Sequence, residues 1–315
     1  MSMFQQEAAS HKALKKASLA VVTGGSGGLG FATACGLLKA GHSVILAVRS
    51  SEKGAAACEA LRAQVPGCVV EALSLDLASL RSVRAFAHKM MERGTAIDIL
   101  ICNAGVMAPL QRQETEDGAE LQFGVNHLGH FALVHALKPL LCAAEQGGVV
   151  VSVASLAAWR GRIRFDDLRA TARYSPFSVY ATSKLANLMF AFELARRVRE
   201  SGDNIHVRAA HPGWARTQIV NNGPGKGLAA FLRIPGELGQ KLVFRLCGQS
   251  AEQGAAPLLY AALSPEAVDG GYYGPGAPGE RRGSPVLAAI PPQARDEKVA
   301  RHLWEVSERL TGICG

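Results

Sequence analysis

Short apolar runs alternate with longer helix-forming stretches along most of the chain. The runs rich in Val, Ile and Leu predict seven strands, at Leu19–Thr23, Ser43–Val48, Val69–Leu73, Ile97–Ile101, Val149–Val153, His206–Ala210 and near Gly271–Tyr273. The stretches between them predict helices at about Leu29–Ala40, Ser51–Gln64, Ser79–Arg93, Gly118–Cys142 and Val179–Glu200. Strands of this composition that alternate with helices are buried on both faces, so the pattern predicts an α/β fold with a parallel sheet.

The alternation contains no internal repeat, which favours one large domain. Right-handed crossovers then predict a single-domain Rossmann fold with a doubly wound, mostly parallel seven-stranded sheet and helices on both faces. We assign residues 1–17 to an N-terminal tail, 18–274 to this domain and 275–315 to a C-terminal extension with a terminal helix. Segments 218–253 and 274–292 depart from the alternation.

Composition narrows the classes of function. The chain has 315 residues, 48% of them hydrophobic and 19% charged, which is enough for a large buried core. Its net charge is +8, and its Lys and Arg residues are scattered along the chain and are not interleaved with aromatic residues. The charge therefore suits an anionic cofactor and argues against binding of nucleic acid.

The seven cysteines form no CxxC pair and no metal-ligand spacing, which predicts free thiols in a reducing compartment and no metal site. Residues 1–17 are polar and basic and lack the apolar core of a secretory signal. The longest apolar stretch, Leu128–Cys142, is interrupted by His130, His135, Lys138 and Pro139, so we expect no transmembrane segment. A cytoplasmic location is expected.

A glycine-rich turn follows the first predicted strand and opens the first helix, with the sequence Thr23-Gly24-Gly25-Ser26-Gly27-Gly28-Leu29-Gly30. Glycines permit a tight turn and let backbone amides approach a pyrophosphate, and the helix N-terminus adds partial positive charge. Strand, turn and helix in this order predict a dinucleotide site. A flexible loop is the alternative interpretation.

The end of the second strand discriminates between the two nicotinamide cofactors. NAD-specific sheets usually place Asp or Glu there to bind the ribose diol. This chain has Val48-Arg49-Ser50, with Lys53 nearby, and a guanidinium group suits a 2′-phosphate. NADP(H) is favoured over NAD(H), and a solvated surface charge is the alternative for Arg49.

Tyr180 and Lys184 lie four residues apart in a predicted helix, so that both side chains share one helical face. A nearby positive charge lowers the pKa of a phenol, and a tyrosine tuned in this way can exchange a proton with a carbonyl or alcohol oxygen. The alternative is an exposed helix on which both residue types are common.

These motifs together resemble those of the short-chain dehydrogenase/reductase superfamily, over about Ser18 to Gly274. The resemblance rests on the glycine-rich turn, Asp76-Leu77, Asn103-Ala104-Gly105, Asn126, Ser155, Tyr180 with Lys184, and Pro212-Gly213. Three segments, Phe123–Phe131, Arg160–Asp167 and His211–Trp214, are similar to the corresponding segments of one branch of the superfamily. This branch contains the retinol dehydrogenase-like enzymes and light-dependent protochlorophyllide reductase.

The resemblance implies a role for each motif in cofactor binding. Asp76 would bind the adenine amino group, Pro212 and Gly213 would pack on the nicotinamide, and Thr217 would orient its carboxamide. The full set of implied cofactor residues is Gly24, Ser26, Gly28, Leu29, Gly30, Arg49, Ser50, Lys53, Asp76, Leu77, Asn103, Ala104, Gly105, Tyr180, Lys184, Pro212, Gly213 and Thr217. Capping of a turn is the alternative for Asp76, and a tight strand exit is the alternative for Asn103 to Gly105.

The resemblance also implies a catalytic set. Ser155 would hold the substrate oxygen, Tyr180 would act as general acid or base, and Lys184 would lower its pKa and bind the nicotinamide ribose. Asn126 would anchor a water that connects Lys184 to solvent. His127, His130 and His211 are interpreted as structural residues.

These expectations combine into one leading function. We predict an NADP(H)-dependent oxidoreductase that transfers a hydride between nicotinamide and a hydrophobic ketone, aldehyde or secondary alcohol. Two alternatives remain open, a reductase of carbon–carbon double bonds and a non-catalytic dinucleotide-sensing protein. Segment 218–253 is apolar with interspersed basic residues, and it is a substrate lid, a dimer contact or a membrane-surface helix. The resemblance implies that a homodimer or homotetramer, if one forms, pairs the helices that carry Asn126 and Tyr180.

Overall fold

A computed structural model describes residues 18–214 and 249–313. The predicted tail 1–17, Thr217 and the part 218–248 of the predicted lid lie outside these residues. The described strands are β1 (Leu19–Thr23), β2 (Ser43–Val48), β3 (Val70–Ser74), β4 (Ile99–Cys102), β5 (Gly148–Val153), β6 (Ile205–Ala210), β7 (Tyr272–Pro275) and β8 (Pro285–Leu287). They form one sheet in the order β3-β2-β1-β4-β5-β6-β7-β8.

The α-helices of the described residues lie between or after these strands and cover both faces of the sheet. They are α1 (Gly28–Lys39), α2 (Ser51–Gln64), α3 (Leu80–Arg93), α4 (Leu121–Phe123), α5 (Gly129–Cys142), α6 (Pro176–Ser201), α7 (Ala251–Leu263) and α8 (Glu297–Thr311). One hydrophobic core lies between the sheet and α1, α2 and α7, and the other lies between the sheet and α3, α5, α6 and α8. The predicted doubly wound Rossmann fold is confirmed.

The prediction of seven strands is wrong by one. The described sheet has eight strands, of which β1 to β7 pair in parallel and β8 pairs antiparallel with β7. β8 follows a tight loop in the Gly/Pro-rich segment, where Gly276 N donates to Ser284 O and Ala277 N donates to Arg282 O. Val286 and Leu287 are exposed, so this edge strand lacks the buried apolar run by which the other strands were recognised.

The predicted helix Gly118–Cys142 is not uniform. A π-helical segment, Gly124–Leu128, separates α4 from α5 and carries Asn126 at its centre. Close packing fixes both ends of this segment, because a Cβ atom at Gly124 would lie 2.4 Å from Thr115 Cγ2 and one at Gly129 would lie 2.6 Å from Leu77 O. The insertion of an extra residue into one turn is a common feature of functional sites in helices.

Candidate active site

The carboxyl ends of β1, β4, β5 and β6 lie side by side in the sheet. Thr23 ends β1, Asn103 directly follows β4, and Ser155 follows β5 by two residues. His211 directly follows β6 and opens the Pro212-Gly213 loop. Because all four strands are parallel, the sheet brings these residues to one edge, where open α/β sheets bind their ligands.

The glycine-rich turn is shaped for a close approach by phosphate. Gly24 and Gly28 have φ values of 67° and 53°, which favour glycine. A Cβ atom at Gly30 would lie 2.4 Å from Gly24 O and 2.6 Å from Asn103 Nδ2, so no larger residue fits there. The N-cap Gly27 offers no side-chain cap, and the first turn of α1 has no acidic residue. The first amides of α1 are therefore suited to an anion.

Thr23 joins this turn to the end of β4, a role that the sequence analysis did not assign. Its Oγ1 accepts hydrogen bonds from Asn103 N and Ala104 N, both at 2.9 Å. The side chain of Asn103 returns a bond from Nδ2 to Thr23 O at 2.8 Å. The Thr23 side chain is fully buried, and its place at the end of β1 was the only sequence signal for this function.

His130 connects Thr23 with the π-helical segment. Its Nδ1 lies 2.9 Å from Asn126 O, which can only accept, so Nδ1 carries the proton and Nε2 accepts from Thr23 Oγ1 at 2.9 Å. Burial lowers the pKa of His130 to about 4 and that of His127 to about 3. His127 Nε2 lies 2.8 Å from Ser307 Oγ on α8. Both imidazoles are buried and neutral, as the structural interpretation expects.

Asn126 holds the loop after β4 against α6. Its Oδ1 accepts from Val106 N at 2.7 Å, and its Nδ2 donates to Val106 O at 3.0 Å and to Ser183 Oγ at 2.8 Å. A Cβ atom at Gly105 would lie 3.1 Å from Asn126 Oδ1 and 3.6 Å from Lys184 Nζ. Glycine at this position therefore leaves space beside these two side chains. The water-anchoring role implied for Asn126 stays a prediction.

Tyr180 and Lys184 lie on the buried face of α6, and the Ser155 side chain is close enough to Tyr180 to favour the charged form of the phenol. Lys184 Nζ donates to Val153 O at 3.0 Å and lies 6.0 Å from the centroid of the Tyr180 ring. Burial raises the pKa of Tyr180 to about 12, against a smaller opposing effect of the nearby Ser155 side chain. Burial also lowers the pKa of Lys184 to about 8.

The predicted direction of the Tyr180 pKa is therefore wrong for the chain by itself. The four-residue spacing suggested that the lysine charge would lower it, but loss of water around the phenol is the larger effect. The spacing predicts which two groups lie close together. It contains no information about how far the site is shielded from water.

The residues predicted to read the adenosine half lie along one side of the turn. Arg49 is exposed at the end of β2, and Ser50 Oγ caps α2 by accepting from Lys53 N at 3.2 Å. Asp76 Oδ1 accepts from Ala78 N at 2.9 Å, so this carboxylate does cap a turn. Leu77 is buried against Gly129.

In residues 18–214 and 249–313, no group of three or more His, Cys, Asp or Glu side chains is arranged to hold a metal ion. No helix in the same ranges has the length and apolar character needed to cross a membrane.

Comparisons with known proteins agree with this geometry. Residues 18–225 match the family described as short chain dehydrogenase. The chain is 41% identical to human retinol dehydrogenase 13 over 296 residues, which cover 93% of this chain and 84% of that protein. It is 38% identical to mouse polyprenol dehydrogenase over 302 residues, which cover 94% of this chain and 84% of that protein. A crystal structure of an uncharacterised protein from Mycobacterium paratuberculosis is similar with a TM-score of 0.75 and 36% identity, covering 94% of this chain and 93% of that chain.

The chain therefore belongs to the short-chain dehydrogenase/reductase family, a family of oxidoreductases that bind a nicotinamide dinucleotide. Within this family, the identities to human retinol dehydrogenases 13 and 14 place it in the retinol dehydrogenase-like branch.

Proposed function

We propose that this protein is an NADP(H)-dependent oxidoreductase that interconverts a hydrophobic ketone or aldehyde and the corresponding alcohol. The observation that carries the proposal is the buried Tyr180, with the Ser155 side chain and the Lys184 ammonium group close to it, at the cofactor edge of the sheet. A phenol and a second hydroxyl that lie close together support a site at which a substrate oxygen binds both groups.

The residues around the glycine-rich turn fit a phosphorylated dinucleotide. The amides at the start of α1 would hold the pyrophosphate, and the exposed Arg49 with Ser50 and Lys53 would hold a 2′-phosphate. Asp76 Oδ2 would bind the adenine, and Lys184 would bind the nicotinamide ribose. The nicotinamide supplies the hydride, and the protein supplies orientation and charge.

The protein groups then handle the proton. Ser155 Oγ orients the substrate oxygen and stabilises charge that develops on it. The pKa of Tyr180 at about 12 keeps the phenol protonated near neutral pH, so its Oη is ready to donate a proton to the oxygen of a carbonyl as it is reduced. In the opposite direction the same oxygen accepts the alcohol proton, and the charge of Lys184 favours that phenolate.

The identity of the relatives supports a lipophilic substrate. Retinol and polyprenol, which occur in the names of two relatives, are both isoprenoid alcohols. An enzyme of this branch with a similar pocket would accept a long apolar chain attached to a primary or secondary alcohol carbon. We therefore propose long-chain or ring-bearing apolar carbonyls and alcohols as the substrate class. We also propose that the protein is located in the cytoplasm. Free thiols at Cys35, Cys58, Cys68, Cys102 and Cys142 support a reducing compartment.

The test compares Tyr180→Phe with the wild-type protein. Turnover of lipophilic aldehydes and ketones with NADPH, and of the alcohols with NADP+, should fall by roughly 10²–10⁴, because the variant has lost its transferable proton. The dissociation constant for NADPH should stay nearly unchanged, since the aromatic ring remains. Tyr260→Phe is the matched control, because Tyr260 lies on α7 and its hydroxyl donates to the exposed Glu266. Tyr180→Phe activity within about tenfold of wild type would contradict the assignment.

A further inference from the structure

The loop between β6 and residue 214 is held by residues from the C-terminal extension. Trp214 N donates to Arg281 O at 3.0 Å, and the Arg281 guanidinium lies 4.6 Å from the centre of the Trp214 ring. Gly213 has a φ of 63° and packs so tightly that a Cβ atom there would lie 2.6 Å from Arg281 O and 2.9 Å from Glu280 O. The chain around Glu280 therefore lies directly against Gly213.

A buried imidazole connects the two segments with a defined proton position. Gly213 N donates to His211 Nδ1 at 3.2 Å, so Nδ1 is the acceptor and the proton of the neutral ring sits on Nε2. Nε2 then donates to Glu280 Oε2 at 3.1 Å. The other carboxylate oxygen, Oε1, accepts from Ala289 N at 2.6 Å, which ties Glu280 to the segment after β8.

Two further features show that this contact is closely specified. A Cβ atom at Gly274 would lie only 1.9 Å from His211 Nε2, so glycine is required there to seat the imidazole. Glu280 itself has a φ of 52°, in the region that favours glycine. A glutamate kept in a conformation that glycine adopts more easily points to a function of its carboxylate.

We propose that Glu280 is a positioning residue for the nicotinamide end of the cofactor. It acts through His211, whose ring orients the backbone of Gly213 and so fixes the Pro212-Gly213 loop. This inference rests on the proposed function, since it assumes that this loop packs against a nicotinamide. It assigns a role in cofactor binding to a residue that lies beyond the segment 18–225 matched by the family.

The experiment separates the two ends of the cofactor by binding. NADPH and adenosine 2′,5′-bisphosphate are titrated against the wild type, Glu280→Gln and Glu280→Gly. The bisphosphate has the adenosine and the 2′-phosphate but no nicotinamide. Glu280→Gln keeps the shape of the side chain but cannot accept from both His211 and Ala289. Both variants should bind NADPH about tenfold more weakly, as expected for loss of a hydrogen bond to a charged group, and should bind the bisphosphate as the wild type does.

Thermal unfolding distinguishes positioning from a general structural role. Glu280→Gly removes the backbone strain at this position. It should therefore unfold at a temperature no lower than that of Glu280→Gln, and yet lose the same affinity for NADPH. Glu266→Gln is the control, because Glu266 is an exposed carboxylate that accepts from the Tyr260 hydroxyl.

Three outcomes would overturn the proposal. Equal weakening of NADPH and the bisphosphate would show that Glu280 supports the whole fold, and unchanged NADPH binding would show that the contact does not reach the cofactor. Wild-type NADPH binding no tighter than that of the bisphosphate would show that this loop does not contact a nicotinamide. Failure of the wild type to bind either nucleotide would instead refute the proposed function, on which this inference depends.

Discussion

Replacing Lys184 with methionine should make the protein more stable near neutral pH while abolishing turnover. The ammonium group is buried, and the fall of its pKa to about 8 from an ordinary value near 10.4 corresponds to about 3 kcal/mol of destabilisation when the group is charged. Methionine also loses the bond to Val153 O, which costs about 1 kcal/mol. Val153 O keeps a second donor, Asn187 Nδ2 at 3.2 Å, so it is not left unpaired. The net gain is about 2 kcal/mol.

The lowered pKa of Lys184 makes the stability difference between Lys184→Met and the wild type depend on pH. The unfolded lysine stays protonated up to about pH 10.4, whereas the folded one loses its proton near pH 8. Between these values the unfolded state binds more protons, so the stability of the wild type rises with pH and the Lys184→Met advantage shrinks. The advantage is fully present below about pH 7 and should be smaller by about 2 kcal/mol at about pH 9.5. Tyr180, with its pKa raised to about 12, acts in the opposite direction only above about pH 10.

The assay is urea unfolding without added nucleotide, at about pH 7 and about pH 9.5, on the wild type, Lys184→Met and Lys89→Met. Lys89 is exposed on α3, so its replacement should leave the free energy of unfolding nearly unchanged at both pH values. A Lys184→Met protein that is less stable than wild type at neutral pH, or whose difference from wild type does not vary with pH, would refute the reasoning. Either result would mean that the buried charge is already compensated by groups around it.

Two further predictions concern the cofactor and the terminal helix. Arg49→Asp should shift the ratio of kcat/KM from NADP(H) toward NAD(H), and an unchanged ratio would show that the exposed Arg49 is only a surface charge. Trp304→Ala should lower the free energy of unfolding by about 3–5 kcal/mol, because the ring contacts Phe131, Phe190 and Arg197. The half-exposed Leu310 on the same helix is its control, and equal losses for Trp304→Ala and Leu310→Ala in chemical unfolding would contradict this packing.

The parts of the fold with a strong local signal were predictable from the sequence. The strands Leu19–Thr23 and Ser43–Val48 have the predicted bounds, and so does the helix Ser51–Gln64. In each case a buried apolar run or a capping residue such as Ser50 marks the boundary within a few positions. The parallel, doubly wound arrangement of β1 to β7 then follows from the rule for right-handed crossovers.

The remaining features depend on contacts between distant residues. β8 is a strand because it pairs with β7. Its own residues are largely exposed and form no buried apolar run that would predict a strand. The bond between His211 and Glu280 joins residues 69 positions apart, and that between Thr23 and His130 joins residues 107 apart. The π-helical turn at Asn126 likewise depends on packing against Thr115 and Leu77. The pKa of Tyr180 was predicted in the wrong direction because burial is a property of the whole fold.

The bond between His127 and Ser307 has a consequence for the synthesis of the protein. Ser307 is translated 180 residues after His127, and α8 as a whole follows every other described helix. On the ribosome, the aromatic side chains of Phe131 and Phe190 are therefore made long before Trp304 is available to cover them. A nascent chain that exposes apolar surface in this way is a substrate for chaperones and prone to aggregation. Slow translation of α8 would lengthen that exposure, so the yield of folded protein should depend on how quickly the part of the message that encodes α8 is read.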